Sequence, residues 1–196
     1  RRAAPSRRFL ALTAARPSNS MNGVTILTRI TDKGWEAECR AALGRVPGVY
    51  CKSGNSTLPD CDSYGTYRGM SWRCESKQTE KESLPFSALT KNEIAVLEHN
   101  RAAGGLSFVM IAQDVGPYER RAWAINYTDL LVMGLGTKAG SVMLEGPNRC
   151  PFLVPVPLLP PDWARKGNLP EWWIEPWFRT QFALYLVREL ARGATA

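Results

Sequence analysis

Residues 106–112 constrain the fold of this chain more than any other stretch. They are almost continuously apolar and follow two glycines, a pattern typical of a short strand buried on both faces of a sheet. A helix is predicted before them at 90–103, where Thr90 and Glu93 have the spacing of a capping box. A partner strand is predicted after them at 121–127. This order of elements predicts an α/β fold whose sheet is covered on both sides.

Composition and charge limit the class of protein. The 196 residues carry a formal net charge of +7, which suits a polyanionic partner because basic surfaces release counterions from phosphates. No apolar run approaches the length of a membrane-spanning helix, so no membrane partner is expected. Five cysteines without a C-x-x-C pair argue against a zinc site and a secreted disulfide scaffold. His99 is the single histidine, so histidine-based catalysis is not expected.

The residues suited to chemistry are concentrated between Asp62 and Lys77. Residues 70–76 are predicted to form a strand after a glycine-containing turn, and alternation places Glu75 and Lys77 on the same face. Asp62 precedes this strand and can return to that face across the turn. Two carboxylates at one point form an oxygen site suited to Mg²⁺, and a lysine beside them can orient water or steady charge on a phosphate. Metal-assisted phosphodiester hydrolysis requires these parts.

Residues 59–112 resemble a known family. Asp62 followed by Glu75-Ser76-Lys77 resembles the PD-(D/E)xK nuclease superfamily. The surrounding motifs are more specific, and they are Tyr67-Arg68-Gly69, Glu75-Ser76-Lys77-Gln78-Thr79, Ser83-Leu84-Pro85-Phe86 and Gly104-Gly105-Leu106-Ser107-Phe108-Val109-Met110-Ile111. Together these motifs resemble the RecU family of Holliday junction resolvases.

The resemblance implies a restriction-endonuclease-like mixed sheet flanked by helices, and a Mg²⁺-dependent, structure-selective endonuclease that cuts branched DNA as a homodimer. It implies that Asp62 and Glu75 hold one or two Mg²⁺ ions and that Lys77 positions or activates the attacking water. Gly34-x-x-x-Glu38 is similar to a motif of the family's first helix, which places Glu38 at the edge of the metal site. Four basic residues are expected to contact nucleic acid: Lys52, Arg68, Arg73 and Lys81.

Three further elements are predicted around this stretch. Residues 34–43 are predicted to form an amphipathic helix after an Asp32 cap. Its apolar stripe comprises Trp35, Cys39 and Leu43. Residues 46–52 are predicted to form a first strand, and residues 77–91, which hold several charges and a proline, are predicted to be a loop.

The chain departs from the RecU pattern in two places. RecU proteins carry a long stalk insertion before the catalytic aspartate, whereas only nine residues separate Lys52 from Asp62, which puts junction selectivity in doubt. The family has a glutamine near the position of Glu93. Asp60 is an alternative to Asp62, and we favour Asp62 because its spacing to the downstream motifs matches the family.

The two ends differ from the predicted nuclease core, 32–146. Residues 1–31 contain six arginines and no acidic residue, as in an organellar transit peptide or a basic nucleic-acid-binding arm. Residues 147–196 are predicted to be a Pro/Trp-rich extension without a RecU counterpart, because eight of the fourteen prolines lie between 147 and 176. The extension ends in a predicted helix at 175–192, whose apolar side comprises Phe178, Phe182, Tyr185 and Leu186.

The leading hypothesis is therefore the nuclease. The alternative is a RecU-derived fold kept as a structural subunit of a mitochondrial ribonucleoprotein, such as a ribosome or its assembly intermediate, with rRNA and many protein partners. The arm, the Pro/Trp-rich extension and the missing stalk favour this alternative. A nonspecific DNA end-processing nuclease is a third hypothesis. The arm predicts a mitochondrial location; the other possibility is the cytoplasm or nucleoid of a bacterial or phage-infected cell.

Overall fold

The computed structural model describes residues 32–53, 61–116, 119–137, 139–156 and 175–193. The helices within these ranges are α1 (Asp32–Leu43), α2 (Lys91–Ala102), α3 (Tyr127–Val132) and α4 (Glu175–Gly193). The strands are β1 (Val49–Ser53), β2 (Ser63–Tyr67), β3 (Met70–Thr79), β4 (Ser83–Pro85), β5 (Leu106–Gly116), β6 (Glu119–Asn126), β7 (Ser141–Met143) and β8 (Val154–Val156). A short 3₁₀ helix, Phe86–Ala88, follows β4.

Six of these strands form one mixed sheet in the order β1-β2-β3-β5-β6-β8. β3 and β5 are parallel, whereas the other neighbouring pairs are antiparallel. A parallel pair needs a crossover connection, and α2 lies in the segment that joins β3 to β5. β4 and β7 form a separate two-stranded sheet. The α/β fold with a mixed sheet flanked by helices is confirmed.

Apolar side chains fill a layer on each face of the sheet. The layer beneath α1 and α4 includes Trp35, Cys39, Leu43, Trp72, Phe108, Met110 and Phe178. The layer beneath α2 and α3 includes Leu84, Leu97, Val109, Ile111, Trp123, Ile125, Leu130 and Val142. β5 supplies side chains to both layers in alternation, as expected of a strand covered on both sides. The predicted stripe of α1 is buried as well.

β3 ends later and β1 begins later than the sequence predicts. β3 continues to Thr79, and β4 with the 3₁₀ helix occupies 83–88, so the prediction of a loop over 77–91 is wrong for most of its length. β3 is longer because its last residues keep parallel partners in β5, which the local sequence does not reveal. β1 begins at Val49 rather than at 46 because the chain is still turning at Gly48, whose φ is +79°.

α2 is fixed over β3 and β5 near both of its ends. Thr90 Oγ1 accepts a 3.3 Å hydrogen bond from the N–H of Glu93, and Glu93 Oε2 accepts a 2.9 Å bond from the N–H of Thr90. The predicted capping box is therefore present. The buried Asn100 accepts a bond from Ser71 Oγ of β3 and donates to a backbone carbonyl of β5. A Cβ at Gly105 would lie 2.3 Å from Ser71 Oγ, so this close approach requires glycine.

The C-terminal elements belong to the core. β8 pairs with β6 at the edge of the sheet, which is where a strand proline such as Pro155 is tolerated. The ring of Phe178 on α4 lies 5.5 Å from that of Tyr67 and 5.7 Å from that of Phe108. The described parts of the predicted extension, β8 and α4, therefore pack with the sheet. Leu186, predicted on the apolar side of this helix, is 44% exposed.

Several predictions fall outside the described residues. They concern the arm at 1–31, Asp60, and residues 157–174 of the predicted Pro/Trp-rich extension. None of the helices that the structure describes combines the length and apolar character needed to cross a membrane.

Substitution of Phe178 tests whether α4 is part of the core. Phe178 is fully buried among aromatic rings, so we expect Phe178→Ala to lower the free energy of unfolding by about 3–5 kcal/mol. Leu190, on the same helix, is 73% exposed, and Leu190→Ala should change it by less than about 0.5 kcal/mol. Urea denaturation followed by circular dichroism measures both. Equally small effects would show that α4 does not pack on the sheet.

Candidate functional site

Asp62, Glu75 and Lys77 come together where β2 begins beside β3. Glu75 and Lys77 pair with Val109 and Ile111 of β5, which lie in the layer beneath α2, so both side chains face that side of the sheet. Asp62 immediately precedes β2, and its Oδ2 accepts a 2.7 Å hydrogen bond from the backbone N–H of residue 76. This bond ties the Asp62 carboxylate to the strand between the other two residues.

Lys77 is held by a residue of α2. Its Nζ lies 2.9 Å from Glu93 Oε1 and 4.0 Å from Glu75 Oε2. The other Glu93 oxygen accepts the capping hydrogen bond from the N–H of Thr90. The start of α2 therefore positions the Glu93 carboxylate, and that carboxylate positions the Lys77 ammonium. Both side chains are mostly buried, so salt screens this ion pair less than it screens a surface pair.

Burial and mutual repulsion raise the pKa values of the acidic side chains. Burial is the largest cause for Glu75, and the charges of Asp62 and Glu93 add to it, so its pKa rises to about 9. The pKa of Asp62 is also raised, again mainly by burial; a backbone N–H and Lys77 oppose this shift, whereas Glu36 and Glu93 reinforce it. Ionisation of both carboxyl groups is therefore unfavourable without additional positive charge.

The carboxyl groups fit a divalent cation that takes few protein ligands. Glu75 is 1% exposed, and its Oε1 has no hydrogen-bond partner within the described ranges; such a buried oxygen is costly. A cation held by Asp62 and Glu75 would satisfy it and offset the repulsion. No three His, Cys, Asp or Glu side chains are grouped so as to hold a metal ion in the part of the chain that the structure describes. Water and phosphate would have to complete the shell, as is usual for Mg²⁺.

The structure does not place Glu38 in this cluster, contrary to the expectation from the helix motif. Its Oε2 lies 3.4 Å from Nη1 of the buried Arg120, which also pairs with Asp114. The acidic residue of α1 whose charge acts on Asp62 is Glu36. Glu36 and Glu38 flank the buried stripe of α1 on opposite sides. The packing of that stripe therefore decides which of the two charges acts on Asp62.

The four basic residues predicted to contact nucleic acid lie in three places. Lys52 and Arg73 are on the sheet face that carries Glu75, because each lies opposite the same residue of β2. Arg68 is in the turn between β2 and β3, with φ of 50°, and lies over two aromatic rings on the α4 side. Lys81 is exposed in the turn that follows β3. Lys52 and Arg73 therefore share the sheet face of the Glu75 carboxyl group.

A cavity of about 600 Å³ lies away from these residues. Its wall includes Arg121, Glu145, Arg149 and Val156, and Arg121 forms an ion pair with Glu145. The side chains of Asp62, Glu75 and Lys77 do not line this cavity. The carboxylate cluster, rather than this cavity, is the candidate functional site.

The sequence indicates the role of Glu93 only in part, and it does not indicate that the charge of Glu36 acts on Asp62. The capping box predicts that one carboxylate oxygen of Glu93 accepts a bond from the N–H of Thr90. It does not predict that the other oxygen binds Lys77. Glu36 precedes Arg40 by one helical turn and pairs with it at 3.1 Å, so its sequence pattern indicates only a surface ion pair. Its position near Asp62 depends on how α1 packs.

Stability measured against pH tests the burial of the Glu75 carboxyl group. Because its pKa is raised to about 9, the stability that it contributes is fully present below about pH 4.5 and is lost as the pH rises toward 9. In EDTA, we expect the loss between pH 4.5 and 7 to be on the order of 3 kcal/mol. Glu75→Gln removes the ionisation, so urea denaturation of this variant should show a correspondingly flatter dependence on pH.

Glu98→Gln is the matched control. Glu98 is paired with Arg101 on the surface of α2, and the hydrogen bond from Arg101 lowers its pKa. It is therefore ionised in the folded chain throughout this range, and in the unfolded chain at every pH well above 4.5. Its substitution should leave the pH dependence of stability unchanged. Parallel curves for wild type and Glu75→Gln would contradict the raised pKa.

Among solved structures, the chain is similar to Hjc, a Holliday junction resolvase from the archaeal hyperthermophile Archaeoglobus fulgidus, with 16% sequence identity, a TM-score of 0.36, and coverage of 46% of this chain and 70% of that chain. A search of curated proteins gave no match. Residues 52–132 match the family described as RecU, recombination protein U. This segment contains Asp62, Glu75 and Lys77. The resemblance predicted from the motifs is confirmed: residues 52–132 of this chain are RecU-like.

Proposed function

We propose that this chain is a metal-dependent endonuclease that cuts branched DNA in the manner of a Holliday junction resolvase. The observation that carries the proposal is the buried Glu75 carboxyl group, with one oxygen unpartnered within the described ranges, beside Asp62 and Lys77. The match of residues 52–132 to RecU, recombination protein U, supports it.

Asp62 and Glu75 would hold one or two Mg²⁺ ions. A bound ion supplies Lewis acidity, which polarises a phosphate oxygen and lowers the pKa of a bound water. The N–H of Ser76 fixes Asp62 and β3 fixes Glu75, so both carboxyl groups are positioned before a substrate binds. Burial and repulsion oppose their ionisation, and nearby positive charge reverses that balance.

Lys77 would orient the attacking water or a phosphate oxygen. An ammonium group has three donors, and the contacts with Glu93 at 2.9 Å and Glu75 at 4.0 Å leave room for a further acceptor. Because Glu93 is itself fixed by the capping box, Lys77 is positioned in advance. Positioning of this kind removes part of the entropic barrier to the reaction.

The proposed substrate is branched DNA, and the proposed assembly is a homodimer that cuts one strand per protomer. The net charge of +7 favours a polyanion. Only nine residues separate Lys52 from Asp62, which is too short for a stalk. Selectivity for a branched substrate would therefore have to come from the surface around the carboxylates.

One observation favours a second candidate, a structural subunit of a mitochondrial ribonucleoprotein. α4 exposes Leu184, Val187 and Leu190 by 48%, 64% and 73%, and their spacing places them on one side of the helix. An exposed apolar face is typical of a surface that binds another protein. A ribonucleoprotein would supply such protein partners together with rRNA.

Asp62→Asn tests the nuclease proposal. The amide keeps the shape of the side chain but removes the charge that would bind a cation. Substitution of residues that merely support a metal ligand already costs about 10- to 100-fold in affinity or activity, so cleavage of a four-way junction in Mg²⁺ should fall by at least about a hundredfold. Junction binding in EDTA should be unchanged or tighter because repulsion of phosphate is reduced.

Asp60→Asn is the control for this substitution, and it should retain cleavage. Loss of cleavage in Asp60→Asn, with full activity in Asp62→Asn, would assign the role to Asp60. Equal cleavage by both variants and by the wild type would contradict a metal site at either residue.

Co-sedimentation with large particles from mitochondrial extracts tests the second candidate. Val187→Asp places a charge on the apolar face of α4 and should abolish co-sedimentation without changing the stability of the purified chain. Thr180→Asp alters an exposed residue nearer the start of the same helix and should have no effect. A chain that never sediments with such particles would exclude this function.

A further inference from the structure

The strands β1, β2 and β3 carry a row of tyrosines and basic residues on one face. Val49 and Cys51 of β1 pack against the layer beneath α1 and α4, so alternation directs Tyr50 and Lys52 to the opposite face. The register places Lys52 opposite Tyr64 of β2, and Tyr64 opposite Arg73 of β3. Side chains opposite one another in adjacent strands share a face. We call Tyr50, Lys52, Tyr64 and Arg73 the tyrosine platform.

Rings and cations are interleaved within the platform. Lys52 Nζ lies 5.8 Å from the centre of the Tyr50 ring, and Arg73 Cζ lies 5.4 Å from the centre of the Tyr64 ring. Tyr50 is 55% exposed, Lys52 is exposed, and Tyr64 is partly exposed. A tyrosine with this exposure presents a flat ring on which a nucleotide base can stack.

The platform is continuous with the carboxylate cluster. Arg73 and Glu75 are two residues apart in β3, so they share a face and lie about 7 Å apart along the strand. Tyr64 follows Asp62 by two residues at the start of β2. Arg68, by contrast, lies over rings on the α4 side and is not part of the platform. A ligand at the cluster can therefore extend over Arg73 and Tyr64 toward Tyr50.

We propose that the tyrosine platform binds unpaired nucleotides, stacking their bases on Tyr50 and Tyr64 while Lys52 and Arg73 contact their phosphates. Within a duplex both faces of a base are covered by neighbouring pairs, so an unpaired base is the one free to stack, and stacking on aromatic side chains tolerates any sequence. Away from its ends, a duplex would offer this surface only its phosphates. The placement of these nucleotides next to the scissile phosphate rests on the nuclease function proposed above, whereas the binding of unpaired bases does not.

Equilibrium binding by the 196-residue chain in EDTA tests the proposal, because no metal is then present to support cleavage. The probes are a labelled single strand of DNA, the same sequence as a blunt duplex, and a forked duplex with unpaired arms. Tyr50→Leu should weaken binding of the single strand and the fork by roughly 5- to 150-fold, the range for the loss of one stacked base. Binding of the blunt duplex should change by less than about twofold, since no base is lost from a stack.

Three variants separate stacking from other effects. Tyr50→Phe keeps the ring and should bind the single strand and the fork as tightly as the wild type does. Lys52→Ala should lower the salt dependence on a single strand by about 0.7 in the log–log slope, as expected for one phosphate contact. Tyr185→Leu removes a tyrosine of α4 that stacks on Phe182, away from the platform, and should not change the preference for unpaired DNA.

Base stacking has a direct signal when a 2-aminopurine base is placed in the single strand. Its fluorescence should be quenched by the wild type and by Tyr50→Phe, but less by Tyr50→Leu. Undiminished binding by Tyr50→Leu, or an equal loss on the blunt duplex, would overturn the proposal. If an RNA strand binds more tightly than DNA and Tyr50→Leu weakens both equally, the platform still stacks unpaired bases, and its ligand is RNA. Wild-type chain that quenches the probe yet never cleaves would refute the nuclease function alone.

Discussion

The parallel pairing of β3 with β5 is the constraint on which the candidate site depends. Parallel neighbours cannot be joined by a tight turn, so residues 80–105 must cross the sheet, and α2 makes this crossing in contact with both strands. The position of α2 then determines which side chains of β3 it meets. Ser71 bonds to Asn100 near one end, and Lys77 to Glu93 near the other. The ion pair of Lys77 is therefore a consequence of sheet topology, and the lysine is fixed because the whole crossover is fixed.

A buried carboxyl group such as that of Glu75 reduces stability unless a cation or proton offsets its charge. Apolar packing on the other face of β3 offsets this loss of stability. Trp72 and Cys74 are buried in the layer beneath α1 and α4, and the rings of Phe108 and Phe178 lie 6.0 Å from that of Trp72. β3 thus carries polar chemistry on one face and a dense aromatic layer on the other. Phe178 of α4 belongs to this layer, so α4 helps to stabilise the strand that carries Glu75 and Lys77.

Features that depend on neighbouring residues could be predicted from the sequence, whereas features that depend on packing between distant elements could not. The alternation along β3 and the capping box at Thr90 are local, and the structure contains both. The choice between Glu36 and Glu38 depends on the rotation of α1 about its axis. Trp35 contributes to that rotation, because its Nε1 donates to a β5 carbonyl at 3.4 Å and its ring lies beneath the guanidinium of Arg120. No spacing in the sequence encodes these two contacts, so the helix motif could not indicate that Glu38 pairs with Arg120 while the charge of Glu36 acts on Asp62.

The two faces of the sheet are covered unequally, and this difference reconciles a buried carboxyl group with a polymeric substrate. α1 and α4 cover one face as far as β1, where Val49 and Cys51 pack against the core. On the other face α2 packs on β3 and β5, while Tyr50 and Lys52 of β1 are exposed. Glu75 lies at the boundary between the covered and the open parts of that face. The covered part lowers the local dielectric constant and strengthens every charge interaction at the site. The open part would let the proposed nucleic acid substrate reach the carboxylates along the surface, without entering a closed pocket.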